Sequence, residues 1–161
     1  MSEPKSGQMI QQPNVLRMKV GGGRFGAIDP AAIAKAEAAL KSLSGNFEQW
    51  LNDELAKLEA ARQQVRSQGM TAENMESLYL RAHDLKGLGA TYGFPLVTRI
   101  AGLLCRMIDD KEKRLTAPMG LIDAHIDSIK AAVRDSIKTE EHPVGRALVQ
   151  ELENRIREFG A

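Results

Sequence analysis

An all-α fold is predicted: an antiparallel up-and-down four-helix bundle with one extra helix on each side and a flexible N-terminal arm. Three observations predict it. From residue 29 onward, apolar residues recur at spacings of three and four, the period of a helix with one buried face. Caps, glycines and prolines fall at the segment ends. No alternating strand pattern follows residue 28.

The elements follow in order. Met1 to Ile28 is rich in Gly, Gln and Pro and reads as a mobile arm with one strand-like run, Val15 to Val20. Asp29-Pro30 is an N-cap followed by Pro at the first helical position. That first helix carries Ile33, Ala36, Leu40 and Leu43 on one stripe, and Ser44-Gly45 is expected to interrupt it. The bundle helices are expected over roughly 44–68, 71–92, 94–110 and 117–138. In the first of these, Phe47, Leu51, Leu55, Leu58 and Val65 face inward, and Gly69 ends it. Thr71 caps the second, which reaches Tyr92-Gly93. Pro95 opens the third, with Asp109-Asp110-Lys111-Glu112 as its polar exit. The fourth turns Met119, Ile122, Ile126, Ile129, Val133 and Ile137 inward. After His142-Pro143 a last helix carries Val144, Leu148, Leu152, Ile156 and Phe159. The domains are therefore an arm over 1–28 and a helical domain over 29–161, its core at about 44–138.

Composition excludes several functional classes. With 161 residues the chain suits one domain, and 43% hydrophobic residues suffice for one core. Lys plus Arg number 22 and Asp plus Glu 21, a net charge of +1. That balance argues against recruitment by nucleic acid or by an anionic membrane surface. Aromatics at 4% leave little for base stacking. A single cysteine forms no internal disulfide and suits a reducing compartment. No apolar run reaches about 18 residues, and Met1 to Lys5 lack a signal core. A soluble, cytoplasmic, monomeric protein is expected.

The second bundle helix carries the chemistry. Met75, Leu78, Ala82, Leu85, Gly89 and Tyr92 form its inward seam. At about 100° per residue, His83 lies roughly 150° from the centre of that seam, on the outward face. Its neighbours there are Glu76, Tyr79, Leu80, Lys86, Gly87 and Ala90. Tyr79 and Leu80 beside an exposed His suggest a contact surface. Gly87 in mid-helix costs about 1 kcal/mol relative to Ala, so its presence asks for a reason. A neutral imidazole on a rigid helix is a nucleophile near physiological pH. Lys86, three residues on, can neutralise a phosphoryl group on that ring. Gly87, four residues on, leaves the approach open. Nucleophile, counter-charge and open space are what phosphoryl exchange through His requires.

The stretch Ala82-His83-Asp84-Leu85-Lys86-Gly87-Leu88-Gly89-Ala90-Thr91-Tyr92-Gly93 resembles the signature of histidine-containing phosphotransfer domains, His-x-x-Lys-Gly with a further Gly ten residues after the His. The resemblance covers roughly residues 44–138. It implies that His83 accepts a phosphoryl group from an aspartyl phosphate of a response-regulator receiver domain, or from an upstream histidine kinase, and passes it on. It implies that Lys86 and Gly87 serve that group, and that Mg²⁺ belongs to the receiver, with no cofactor on this chain. Thr91-Tyr92-Gly93-Phe94 also resembles the phosphotransfer domain at the front of chemotaxis histidine kinases, where a Glu on the next helix hydrogen-bonds the reactive His. This chain departs there: Gly102, Leu103, Leu104, Cys105 and Arg106 occupy the matching turn, and the first acid is Asp109. Leu88 stands where many family members carry a small or polar residue; it is a lip beside the site or ordinary packing.

Other candidates have plainer readings. Gly21-Gly22-Gly23-Arg24-Phe25-Gly26 fits G-x-G-x-x-G, but no second strand follows, as a dinucleotide site needs. Cys105 reads as a buried small hydrophobe. His125 and His142 have no partner at metal-ligand spacing and read as structural or incidental. Arg99 and Arg106 either rim the binding face or are solvated. The expected function is a phosphorelay carrier with His83 as phosphoacceptor, Lys86 and Gly87 serving it, and Tyr79, Leu80 and Ala90 docking a receiver. No nucleotide-binding element is apparent, so the chain is not expected to phosphorylate itself. The alternatives are the phosphoryl-accepting domain of a chemotaxis-type kinase and a non-catalytic helical scaffold.

Overall fold

A computed structural model describes residues 29–160. The predicted arm, with its strand-like run and its glycine cluster, lies outside them. Five α-helices and one 3-10 turn make up the described chain, and no strand occurs among the described residues. They are α1 (Pro30–Gln68), α2 (Ala72–Leu88), α3 (Pro95–Met107), the 3-10 turn Lys113–Thr116, α4 (Met119–Arg134) and α5 (Pro143–Phe159). The chain divides into two compact units, one ending at Leu43 and one running from Ser44.

In the unit from Ser44, the seams read from periodicity are the core. Leu51, Leu55, Leu58 and Val65 of α1, Met75, Leu78, Ala82 and Leu85 of α2, and Ile122, Ile126, Ile129 and Val133 of α4 are all buried. Apolar α3 is buried nearly all round. Helix α2 packs on α3, and α3 on α4. The helix expected after the bundle core, α5, packs on both α3 and α4 and adds Val149, Leu152 and Ile156 to the same core. A buried arginine joins α1 to α4: Arg62 binds Glu59, Asp123 and Asp127. Among the described residues, no helix is long and apolar enough to cross a membrane.

The larger departures from expectation lie at three boundaries. Helix α1 runs unbroken through Ser44-Gly45. One mid-helix Gly costs only about 1 kcal/mol, and no neighbouring group lies near Gly45 to bend the chain there. Its first stripe is not a core seam: Ile33, Leu40 and Leu43 are exposed. Helix α2 ends at Leu88 rather than at Tyr92, because the chain turns through Gly93 at φ +89°. Helix α4 ends at Arg134, four residues early, where Ser136 takes a positive φ of 55°. The loop after it then offers the Lys138 carbonyl to Leu96 N–H at 2.7 Å. Some inward assignments also relax. Phe47 and Tyr92 are half-buried and form an aromatic cluster with exposed Trp50, ring centroids 5.6–5.8 Å apart. Val144 is exposed, and Val149, outside the expected stripe, is buried.

Candidate functional site

Helix α2 begins at Thr71, whose hydroxyl accepts from Asn74 N–H at 3.0 Å. Four fully buried side chains fix its rotation: Met75, Leu78, Ala82 and Leu85. With that seam pinned, the opposite face carries His83, Lys86, Gly87 and Leu80 into solvent. The far end is held just as firmly. An added Cβ at Gly89 would stand 2.7 Å from both the backbone nitrogen and the hydroxyl of Thr98. The missing side chain lets α3 start against the end of α2, where Thr98 Oγ1 accepts from Ala90 N–H at 2.7 Å and Phe94 N–H donates to the Gly89 carbonyl.

His83 shares a shallow depression with Glu54 and Lys57 of α1 and with Asp84, Gly87 and Leu88 of α2. Glu54 and Lys57 pair with each other at 3.0 Å. Asp84 leans toward Arg81 at 3.8 Å, a pair open to water and weak. Nothing lies within 4 Å of a Cβ built on Gly87, so the space beside His83 is open. Leu88 is half-buried and lines the depression.

Lys86 lies on the other flank. Its stem crosses Gly102 of α3, with Cδ 3.5 Å from where a Cβ would stand. Its charge is felt at Cys105, where it opposes a burial effect that pushes the thiol up to about 11. Cys105 is thus an inert buried thiol, as its pattern suggested.

Tyr79, one turn before His83, is half-buried rather than a free docking side chain. Its ring centroid is 6.0 Å from that of His83, tilted by 38°. Its hydroxyl donates to Asp109 Oδ1 at 3.2 Å. Loss of hydration, and then the Asp109 carboxylate, hold the phenol above its ordinary pKa. The Arg114 guanidinium sits 4.8 Å from the same ring. Arg114 is 3% exposed and donates to the carbonyls of Ile108 and Asp109 and to Glu76 Oε1. Sequence reading missed Arg114, because a basic residue in a polar turn gives no periodic signal. Asp109, the first acid after the α3 turn, is thus taken up by Tyr79, and among the described residues no carboxylate hydrogen-bonds His83.

The remaining candidates separate. Leu80 is 50% exposed and Ala90 is exposed. Arg106 is exposed on α3, whereas Arg99 is bound by Glu140 and Glu153 and turned to α5. His125 is buried in α4, and His142 caps α5 by accepting from Val144 N–H at 3.1 Å. A family model described as "Hpt domain" matches residues 42–158. Neither the curated proteins nor the solved structures gave a significant match.

Proposed function

Because the chain belongs to the Hpt domain family and so to phosphotransfer in two-component signalling, we propose that it carries a phosphoryl group on His83 between an upstream histidine kinase and a response-regulator receiver domain. The observation that carries this reading is the open face of α2, where an exposed imidazole stands beside a Gly with empty space around it and a Lys on the adjoining turn. A lone pair on the ring attacks the phosphorus of the receiver's aspartyl phosphate. The N–P bond forms as the P–O bond to the carboxylate breaks, and the carboxylate leaves. Lys86 opposes the charge delivered to the ring. Its stem rests on Gly102, so the ammonium can swing from α3 to the phosphoryl oxygens. Leu80 and Ala90 supply apolar contact to a transient partner. The chain acts as a cytoplasmic monomer without a cofactor of its own, and Mg²⁺ stays with the receiver's acidic site.

The chemotaxis-type alternative asks for an acid against the imidazole. Asp109 is engaged by Tyr79 instead, which favours a shuttle. To test the carrier reading, a receiver charged by a small-molecule phosphodonor is mixed with the wild-type chain and with His83→Gln. Acid-labile label is expected on the wild type alone. The variant's stability should stay within about 0.5 kcal/mol, since His83 is exposed. Label retained by His83→Gln would assign the chemistry to another residue.

A further inference from the structure

We infer that Tyr79 is a positioning residue for His83, its ring clamped by Arg114 and Asp109 so that it forms a fixed wall beside the imidazole. The inference rests on the carrier reading and adds to it a part that the motif does not contain. Tyr79 is held at three points. Its backbone is in α2, one turn before His83. Its hydroxyl is bound to Asp109 at 3.2 Å, just past the end of α3. Its ring lies 4.8 Å from the guanidinium of Arg114. That guanidinium is itself immobile, because it is buried and tied to two backbone carbonyls and to Glu76. The chain of contacts thus runs from the loop after α3, through Arg114 and Tyr79, to the His83 ring 6.0 Å away.

An exposed His on a helix ordinarily turns freely about its two side-chain torsions. On this helix one flank of the ring faces open space at Gly87 and the other faces Tyr79. A wall on one side restricts the orientations of the ring. In-line attack on phosphorus needs the lone pair aimed, and misplacement by about 1 Å can cost a factor near 10². A residue used only for docking would not need its hydroxyl and ring face bound inside its own fold.

The two roles separate by kinetics and by spectroscopy. Transfer from a phosphorylated receiver is measured in single-turnover mode against receiver concentration, for wild type, Tyr79→Phe and Tyr79→Leu. The side-chain rotamer distribution of His83 is read from its three-bond couplings in the same proteins. With Tyr79→Leu the maximal rate should fall roughly tenfold or more, with the half-saturating concentration unchanged within about twofold and a broadened rotamer distribution. Tyr79→Phe keeps the ring but frees it at the hydroxyl, and should show a smaller loss in the same direction. A change in half-saturation alone would make Tyr79 a docking residue and overturn the inference. So would rates and rotamer distributions equal to wild type. If Tyr79→Leu does not fold, the Phe variant decides, and a rate and rotamer distribution unchanged there overturn the inference equally. A wild-type chain that takes up no phosphoryl group would overturn the carrier reading itself. The rotamer distribution would still tell whether Tyr79 orients the ring.

Discussion

Gly87 and Gly89 stand two residues apart on one helix end and meet opposite surroundings. Gly87 has no atom within 4 Å of an added Cβ, whereas Gly89 has the Thr98 backbone and hydroxyl at 2.7 Å. The two substitutions should therefore behave oppositely. Gly87→Leu gains helix propensity of roughly 0.8 kcal/mol, so the fold should hold or gain stability. The new side chain would stand one turn from His83 on the face a receiver must approach, so transfer should slow strongly. Gly89→Ala should lose about 1–3 kcal/mol by overpacking, since backbone atoms cannot step aside as a flexible side chain would. Thermal midpoint and transfer rate measured on both variants check this. A stable Gly87→Leu with an unchanged rate would mean that the His83 face is not used. The outward register of His83 was legible because the seam of α2 is regular and fully buried. The role of Tyr79 was not, since its partners Asp109 and Arg114 lie 30 and more residues away in a segment without periodicity.

Helix boundaries show the limits of local signals. Ser44-Gly45 reads as a stop, yet α1 continues through it for 39 residues in all. A Gly ends a helix readily where the chain must turn in order to pack. At Gly45 no tertiary contact asks for a turn, so the modest propensity cost is simply absorbed. At Gly93 the turn is enforced, because α3 must start against Gly89 and only a positive φ brings Phe94 N–H onto the Gly89 carbonyl. The sequence shows both glycines, but only packing tells them apart. Gly45→Ala should accordingly raise helix stability near the site of change by up to about 1 kcal/mol and leave transfer untouched. Slower amide exchange across residues 42–49 is the measurement. Exchange that speeds up would mean the helix does bend at Gly45. Buried Arg62 was equally hidden: an arginine within a seam of leucines reads as solvent-facing until Asp123 and Asp127 of α4 are seen to close on it. Burial opposes its charge, but the Glu59 and Asp127 carboxylates outweigh that and raise its pKa further.

The stability of the whole molecule should carry a pH dependence unrelated to the phosphoryl site. His125 on α4 is completely buried, with its Nδ1–H donated to the Leu121 carbonyl at 2.7 Å and Nε2 left without a hydrogen-bond partner. Burial pushes its pKa down to about 4 from 6.5. The Leu121 carbonyl works the other way, and the charge of Arg155 on α5 adds to the depression. Above pH 6.5 the ring is neutral in both folded and unfolded chains, and stability has no slope from this source. Between pH 6.5 and about 4 only the unfolded chain takes up the proton, so stability falls as the pH drops through that window. Near pH 4 the folded ring protonates too and the slope ends, after a loss of about 3 kcal/mol. Glu59 acts lower on the scale: its hydrogen bond from Arg62 outweighs burial and holds the carboxyl at about 2 against 4.5, so its share is lost only below pH 4.5. The two groups thus divide the acid range. Urea unfolding of the wild type at several pH values from 7 down to 4.5 should show stability level at first and falling steadily below about pH 6.5. His125→Leu removes the titrating ring and the orphaned nitrogen while keeping an apolar side chain in place, so its curve should be flat across the same range. An equal slope in wild type and variant would assign the acid sensitivity to a different group.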